Sequence, residues 1–130
     1  MVAVAAAFVS CSEKESDNSD VGSKSFIGTW RETRYVIYEK KDGEWIVTED
    51  VEISYDDSAL ITFYSDGRCI EDGDYSYWVY NDNRLYFTEY KDKISDDDDY
   101  ANIIKCTSNE LILESCRGDY DKAWLYYVKQ

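Results

Sequence analysis

The fold is decided by the stretch ITFYSDGRCI, residues 61–70, in which two short β-rich runs flank the turn dipeptide Asp66-Gly67. This arrangement is typical of a β-hairpin, and two-residue loops are its commonest connection. With such a loop Phe63 lies opposite Ile70, so both share one face of the sheet and Cys69 points to the other. The stretch therefore predicts an antiparallel hairpin with Phe63 and Ile70 in the core.

The same alternation of β-rich runs and turn residues continues on both sides of this hairpin, without the three-to-four-residue periodicity of an amphipathic helix. The pattern predicts strands at residues 29–40, 45–55, 59–64, 68–71, 75–80, 84–90, 101–106, 110–116 and 123–129. We therefore expect an all-β fold, an up-and-down antiparallel meander closed into a small barrel of about eight to nine strands, because closure removes exposed sheet edges. A β-sandwich is the alternative.

Two further turns predict which residues face inward. A two-residue loop at Ser108-Asn109 places Cys106 opposite Leu111, and both are apolar. A three-residue turn at residues 81–83 places Tyr77 opposite Phe87 on the inner face. A two-residue loop would turn Trp78 inward instead, and we prefer the first register.

Length and charge restrict the number of domains and the kind of partner. The chain has 130 residues, of which 26–130 are predicted to form one domain, and its net charge is -14. Nucleic acids need clustered Lys and Arg, whereas the 14 basic residues here are scattered among 28 acidic ones. The composition predicts a protein that does not bind nucleic acid.

The first 25 residues predict export and a lipid anchor. Residues 1–10 contain an apolar run too short to span a bilayer, as in a signal peptide, and Phe8-Val9-Ser10-Cys11 resembles a lipobox with Cys11 as the lipidated residue. Residues 11–25 are mostly polar and acidic, so we expect a flexible tether. The expected location is the outer membrane or the cell surface. An ordinary secretory signal with an incidental cysteine is the alternative.

Five short motifs together resemble the lipocalin-like domains of secreted bacterial lipoproteins. Ile27-Gly28-Thr29-Trp30 is similar to their GxW opening, and residues 62–67 to their central Phe-x-x-Asp-Gly hairpin. The remaining motifs are residues 77–85, residues 108–113 and the aromatic ending at 124–129. The resemblance spans nearly all of residues 26–130 and implies a barrel of eight or more strands. Binding of a small apolar or amphipathic ligand is what it implies by analogy.

Large aromatic residues on the predicted inner face are the candidates for ligand contact. They are Trp30, Phe63, Tyr77, Phe87, Trp124 and Tyr126. Side chains of this size also fill a small barrel completely, and a filled core is the preferred interpretation. Aromatic residues predicted on the outside, Tyr38, Trp45, Tyr64, Tyr86 and Tyr90, suit a sugar- or protein-binding surface.

Catalysis and metal binding have little support in the sequence. The absence of histidine excludes Ser-His-Asp and Cys-His mechanisms, and no phosphate-binding or dinucleotide motif is present. The carboxylates of Glu71, Asp72 and Asp74 leave a glycoside hydrolase as a remote alternative. The run Asp96 to Asp99 lacks the spacing of a calcium loop and is expected to be a solvated, self-repelling segment.

The cysteines are expected to remain thiols, with Cys106 buried, because Cys69, Cys106 and Cys116 show no metal spacing and no disulfide fits the predicted register. These expectations describe a non-enzymatic envelope lipoprotein without cofactor or metal. Its partners are expected to be the membrane, through the lipid anchor, and a small apolar ligand or an envelope protein. A structural or protein-interaction lipoprotein with a filled barrel is the alternative function.

Overall fold

The computed structural model describes residues 26–116 and 118–130, and within them nine strands. Their bounds are β1 Gly28–Lys41, β2 Glu44–Glu52, β3 Leu60–Phe63, β4 Arg68–Glu71, β5 Asp74–Asn81, β6 Arg84–Thr88, β7 Asp99–Cys106, β8 Glu110–Cys116 and β9 Asp121–Lys129. A single 3-10 turn, Tyr55–Asp57, joins β2 to β3. The predicted signal peptide, Cys11 and the tether lie outside the described residues.

The sheet closes on itself, as predicted for the all-β fold. Strands β1 and β3 to β9 follow one another in space, and a further pairing between β1 and β9 completes an antiparallel barrel of eight strands. Strand β2 is an extra strand that pairs with the second half of β1, whereas the first half of β1 pairs with β3. No helix in the described part of the chain has the length and hydrophobicity needed to cross a membrane.

The central hairpin forms, but its predicted register was wrong by one residue. Phe63 lies opposite Cys69, not Ile70. The loop has three residues: the Gly67 N–H donates to the Tyr64 carbonyl at 3.0 Å, and Gly67 takes a φ of 96°. This is a type I turn followed by a glycine bulge, the commonest three-residue hairpin loop. Cys69 is consequently buried in the core, with 1% of its surface exposed.

The hairpin between β5 and β6 has a two-residue loop, so the predicted three-residue turn is wrong and the alternative register is the one formed. Trp78 lies opposite Phe87, and Tyr77 lies opposite Thr88 on the other face. The loop consists of Asp82 and Asn83, both with positive φ, and such residues tolerate this conformation better than most. Trp78 therefore packs against the core, and the prediction that Tyr77 faces inward is wrong.

Strand β9 also turns the opposite face inward from the one predicted. Leu125 and Tyr127 pack in the core, and β9 pairs with β8 without any shift in register. Side chains alternate along such a strand, so Trp124 and Tyr126 lie on the outer face. The hairpin between β7 and β8 has Cys106 opposite Leu111 as predicted, but a bulge between Ile103 and Lys105 shifts the rest of the register, so that Ile103 lies opposite Leu113.

Candidate functional site

One end of the barrel interior is closed by an aromatic plug. It consists of Phe26, Trp30, Phe63, Trp78 and Tyr80. The Phe26 ring lies 5.5 Å from that of Tyr80 and 6.3 Å from those of Phe63 and Trp78. Trp30 Nε1 donates to the Phe26 carbonyl at 3.0 Å, which satisfies the polar atom of a side chain with no exposed surface. This half of the interior is filled by side chains.

The six aromatic residues proposed for ligand contact are therefore divided. Trp30 and Phe63 belong to the buried core, and Phe87 is half-buried against it. Tyr77, Trp124 and Tyr126 lie on the outer face of the sheet and do not line the interior. The structure thus brings together three of the six.

At the other end of the interior several inner-face side chains are partly exposed, and two of them are carboxylates. Glu71 is the last residue of β4 and lies opposite Ile61, which is buried in the core. Glu32 lies opposite the core residue Tyr127, and its N–H donates to the Ala59 carbonyl just before β3 begins. Directly opposed residues share a face of the sheet, so both carboxylates point into the same mouth of the barrel.

Partly exposed side chains surround these two carboxylates on the inner face of the sheet. We name the open end by its inner-face residues, which are Glu32, Tyr35, Glu71, Ser76, Phe87 and Leu125. Glu71 is exposed at the rim and the other five are half-buried. Phe26, Trp30 and Phe63 of the plug are at most 1% exposed, whereas Trp78 and Tyr80 are half-buried like most residues of the open end.

The electrostatics of the open end disfavour negative charge. Burial raises the pKa of Glu32, and the neighbouring carboxylates of Glu71 and Asp72 raise it further. Burial likewise raises the pKa of Glu71, together with Asp72 and Asp74. Burial also raises the pKa of the Tyr127 hydroxyl, and the charges of Glu32 and Glu71 add to the effect. The open end therefore favours a positive charge brought in from outside.

The cysteines are not reactive nucleophiles of this site. Cys69 lies opposite Ser76, and burial raises the pKa of its thiol to about 12, so it stays protonated at neutral pH. Cys106 is half-buried, although full burial was predicted, and Cys116 is exposed. None of the three is joined by a disulfide among the described residues.

A second polar cluster lies on the outer face and has a structural character. The Glu114 carboxylate accepts hydrogen bonds from Trp124 Nε1 at 2.8 Å and Asn102 Nδ2 at 3.2 Å, and it lies 3.3 Å from Lys122 Nζ. Lys122 also sits 4.4 Å above the Trp45 ring. Glu114 and Lys122 are 4% and 5% exposed, so this ion pair is buried and satisfied within the protein.

Other aromatic residues predicted on the outside are partly covered by the chain itself. Tyr64 lies under the Arg68 guanidinium at 4.6 Å, and Tyr86 packs against Tyr100 at 5.5 Å between ring centres. Tyr90 is 58% exposed, with Lys93 Nζ 5.9 Å from its ring centre. Their faces are less available to a sugar or protein partner than the sequence suggests.

The acidic segments show no arranged metal site. No group of three or more Cys, Asp or Glu side chains in residues 26–116 and 118–130 is placed to hold a metal ion. Three residues of the run, Asp96, Asp97 and Asp99, are exposed, and Asp98 accepts a hydrogen bond from the Ser95 N–H at 2.6 Å. The run behaves as a solvated loop that precedes and enters β7.

A shallow cleft of about 440 Å³ lies beside the central hairpin, between residues 65–67, residues 78–80 and the pair Lys91 and Asp92. It shares no lining residue with the open end. Trp78, which forms one wall, donates from Nε1 to the Tyr64 carbonyl at 2.9 Å and thereby holds the hairpin. The charged residues that line the cleft are Asp66, Lys91 and Asp92, all of which lie in its loops.

Sequence reasoning missed Glu32, the half-buried carboxylate of the open end. A signal was present, because Glu32 stands two residues after the buried Trp30 in a strand and therefore shares its face. A charged residue at an inward position is an exception that a functional site often explains.

No protein-family model matches this chain, and none of the curated proteins matches it.

Proposed function

We propose that the protein is a non-enzymatic, lipid-anchored lipoprotein of the cell envelope, whose barrel binds a small amphipathic ligand at its open end. The observation that carries this proposal is the division of the interior. One half is filled by the aromatic plug, and the other presents half-buried apolar and polar side chains around Glu32. Ligand sites are typically concave and mostly apolar, with a few polar groups that fix orientation.

The filled half limits how deeply a ligand can enter. Trp30, Phe26 and Phe63 are at most 1% exposed, so displacing them would cost the burial of large aromatic surfaces. Leu125 and Phe87 are half-buried against the core and offer an apolar surface at the mouth. The proposed ligand is therefore held at the mouth and not enclosed as in a deep carrier.

Titration with a neutral amphipathic fluorescent dye, such as N-phenyl-1-naphthylamine, tests ligand binding at the open end. Ser76→Trp places a large side chain on the inner face of the mouth and should abolish the fluorescence gain of the bound dye. Tyr75→Trp is the matched control, because Tyr75 is 80% exposed on the other face of the same strand. Equal loss in both variants, or no dye binding by the natural chain, would reject the proposal.

The anchor is proposed from the lipobox-like sequence before Cys11. Lipidation is expected at Cys11, so Cys11→Ala should abolish incorporation of a labelled fatty acid and release the protein from membranes. Ser12→Ala is the control and should leave both unchanged. Membership of the lipocalin-like lipoproteins is part of the same proposal and is supported by the closed eight-stranded barrel. The proposed location is the outer membrane or the cell surface.

A protein-interaction role is the second candidate, favoured by the exposed apolar residues of the extra strand. Ile46 and Val47 on β2 are 44% and 51% exposed, and β2 ends the order of strands. Such an edge suits pairing with a partner strand. If this is the function, Val47→Asp should abolish cross-links formed in intact cells, whereas Ser76→Trp should leave them unchanged.

A further inference from the structure

Tyr127 lies on the inner face beside the open end, close enough that the charges of Glu32 and Glu71 help to raise the pKa of its hydroxyl. Tyr127 is 5% exposed and lies opposite Glu32 on the inner face. Within the described part of the chain, its hydroxyl has no hydrogen-bond partner. Among the described residues the Tyr127 hydroxyl is not one of the buried polar atoms that lack a partner, so solvent reaches its oxygen, and the polar group of a ligand at the mouth can reach it too.

Glu32 and Glu71 are also without a cation of their own. Neither carboxylate forms an ion pair or a hydrogen bond within residues 26–116 and 118–130. The nearest basic residue in sequence, Arg31, points to the outer face, where its guanidinium lies 4.7 Å from the Tyr55 ring centre. Two carboxylates that face the same mouth repel each other unless a positive group lies between them.

We propose that Glu32 and Glu71 bind the ammonium group of an amphipathic amine, with the Tyr127 hydroxyl completing the site and the apolar part of the ligand lying against Leu125 and Phe87. This inference rests on the proposed ligand binding at the open end and names the chemical class of the ligand. An ammonium donates three hydrogen bonds, and both carboxylates and the hydroxyl oxygen can accept them.

An organic cation fits this site better than a metal ion. The described residues hold no group of three metal-ligating side chains, and the nearby Cys69 thiol stays protonated because burial raises its pKa to about 12. Half-buried Leu125 and Phe87 suit a hydrocarbon chain, which a hydrated metal ion does not have. Both parts of an amphipathic amine therefore find a matching surface.

Displacement of the neutral dye from the full chain tests the inference. The competitors are a primary alkylamine and the primary alcohol of the same chain length, at an ionic strength of about 0.15 M so that long-range attraction is screened. The amine is expected to bind at least about tenfold more tightly than the alcohol, because charge-assisted hydrogen bonds are stronger than neutral ones. Equal affinities, with the dye still bound, would overturn the inference and leave the proposed ligand binding intact.

Variants separate the site from the overall negative charge. The double substitution Glu32→Gln and Glu71→Gln should abolish the preference for the amine while the dye still binds, and Tyr127→Phe should reduce it. Glu49→Gln and Glu52→Gln together make the same change of charge at exposed positions of β2 and should keep the preference. If both pairs reduced it equally, the preference would come from the net charge of -14 and the inference would fail.

Discussion

Two ion pairs with similar N···O distances differ in burial, and burial changes how much an ion pair contributes to stability. Lys122 Nζ lies 3.3 Å from Glu114 with both side chains at most 6% exposed, whereas Lys105 Nζ lies 3.1 Å from Glu110 with side chains 40% and 52% exposed. Water screens the second pair, and exposed pairs contribute at most about 1 kcal/mol. Removing one partner of the first leaves a charge in a site that water does not reach.

We therefore expect Lys122→Met to lower the free energy of unfolding by about 3 kcal/mol, because the Glu114 carboxylate would keep only neutral donors. Lys105→Met should change it by less than about 0.5 kcal/mol. Urea titrations of both variants at neutral pH measure the difference. Similar losses in the two variants would show that the buried pair is no more important than the exposed one.

Glu32 is expected to reduce stability at neutral pH in the absence of a ligand. Burial and the neighbouring carboxylates raise its pKa in the folded protein above the unfolded value. The folded state therefore binds the proton more tightly, and this stabilisation is complete below the unfolded pKa and is lost as the pH rises through the folded pKa. Glu32→Gln should accordingly raise the free energy of unfolding at neutral pH.

Because the Glu32 carboxyl is only half-buried, the gain is expected to be a few tenths of a kcal/mol. It should disappear near pH 3.5. Glu49→Gln, at an exposed position on β2, makes the same change in net charge and serves as the control. Unfolding midpoints in urea at the two pH values test this, and a loss of stability in Glu32→Gln at neutral pH would contradict it.

At the scale of the strand pair, the central hairpin depends on the left-handed backbone of Gly67. Its φ is 96°, and a side chain added there would meet Lys91 Cε at an ordinary 3.8 Å. Gly67→Ala should therefore destabilise the protein by about 1 kcal/mol through backbone strain alone. Ser65→Ala in the same loop should cost less than about 0.5 kcal/mol. Thermal unfolding of both variants measures this, and equal midpoints would contradict it.

The strands of this barrel were predictable, whereas the registers of the hairpins at Asp66-Gly67 and at residues 81–84, and the bulge in β7, were not. All nine predicted segments form strands because short β-rich runs between turn residues specify extended structure locally. Asp66-Gly67 fits both a two-residue loop and a type I turn with a glycine bulge, and the flanking residues are apolar on both faces. Because apolar and polar residues do not alternate strictly here, the sequence does not fix the register. A loop that is longer by one residue then changes which side chain is buried.

The same ambiguity limited the prediction of the candidate site. Trp124, Leu125, Tyr126 and Tyr127 form an apolar run, so the sequence of β9 alone does not indicate which residues face inward. Tyr127 faces inward because it pairs with the core residue Leu111 on the neighbouring strand β8, and the sequence of β9 alone does not show this register. Glu32, by contrast, could have been found from its spacing to Trp30.

At the scale of the whole molecule, the acidic charge opposes folding. The chain carries a net charge of -14, and loops next to the barrel hold several carboxylates close together, including the run Asp96 to Asp99. Compact structure brings these like charges nearer than they are in the unfolded chain, so their repulsion lowers stability at low ionic strength. Dissolved salt screens this repulsion within about 10 Å at 0.1 M.

Raising sodium chloride from about 10 mM to about 0.2 M should therefore stabilise the protein by roughly 1 kcal/mol, which corresponds to about 5 °C in Tm. Calcium chloride at the same ionic strength should give the same rise, because no group of metal ligands is arranged among the described residues. Replacing the four residues Asp96 to Asp99 by Asn should reduce the dependence on salt, since it removes four of the repelling charges. A larger stabilisation by calcium that disappears in this Asn variant would instead identify the run as a calcium site.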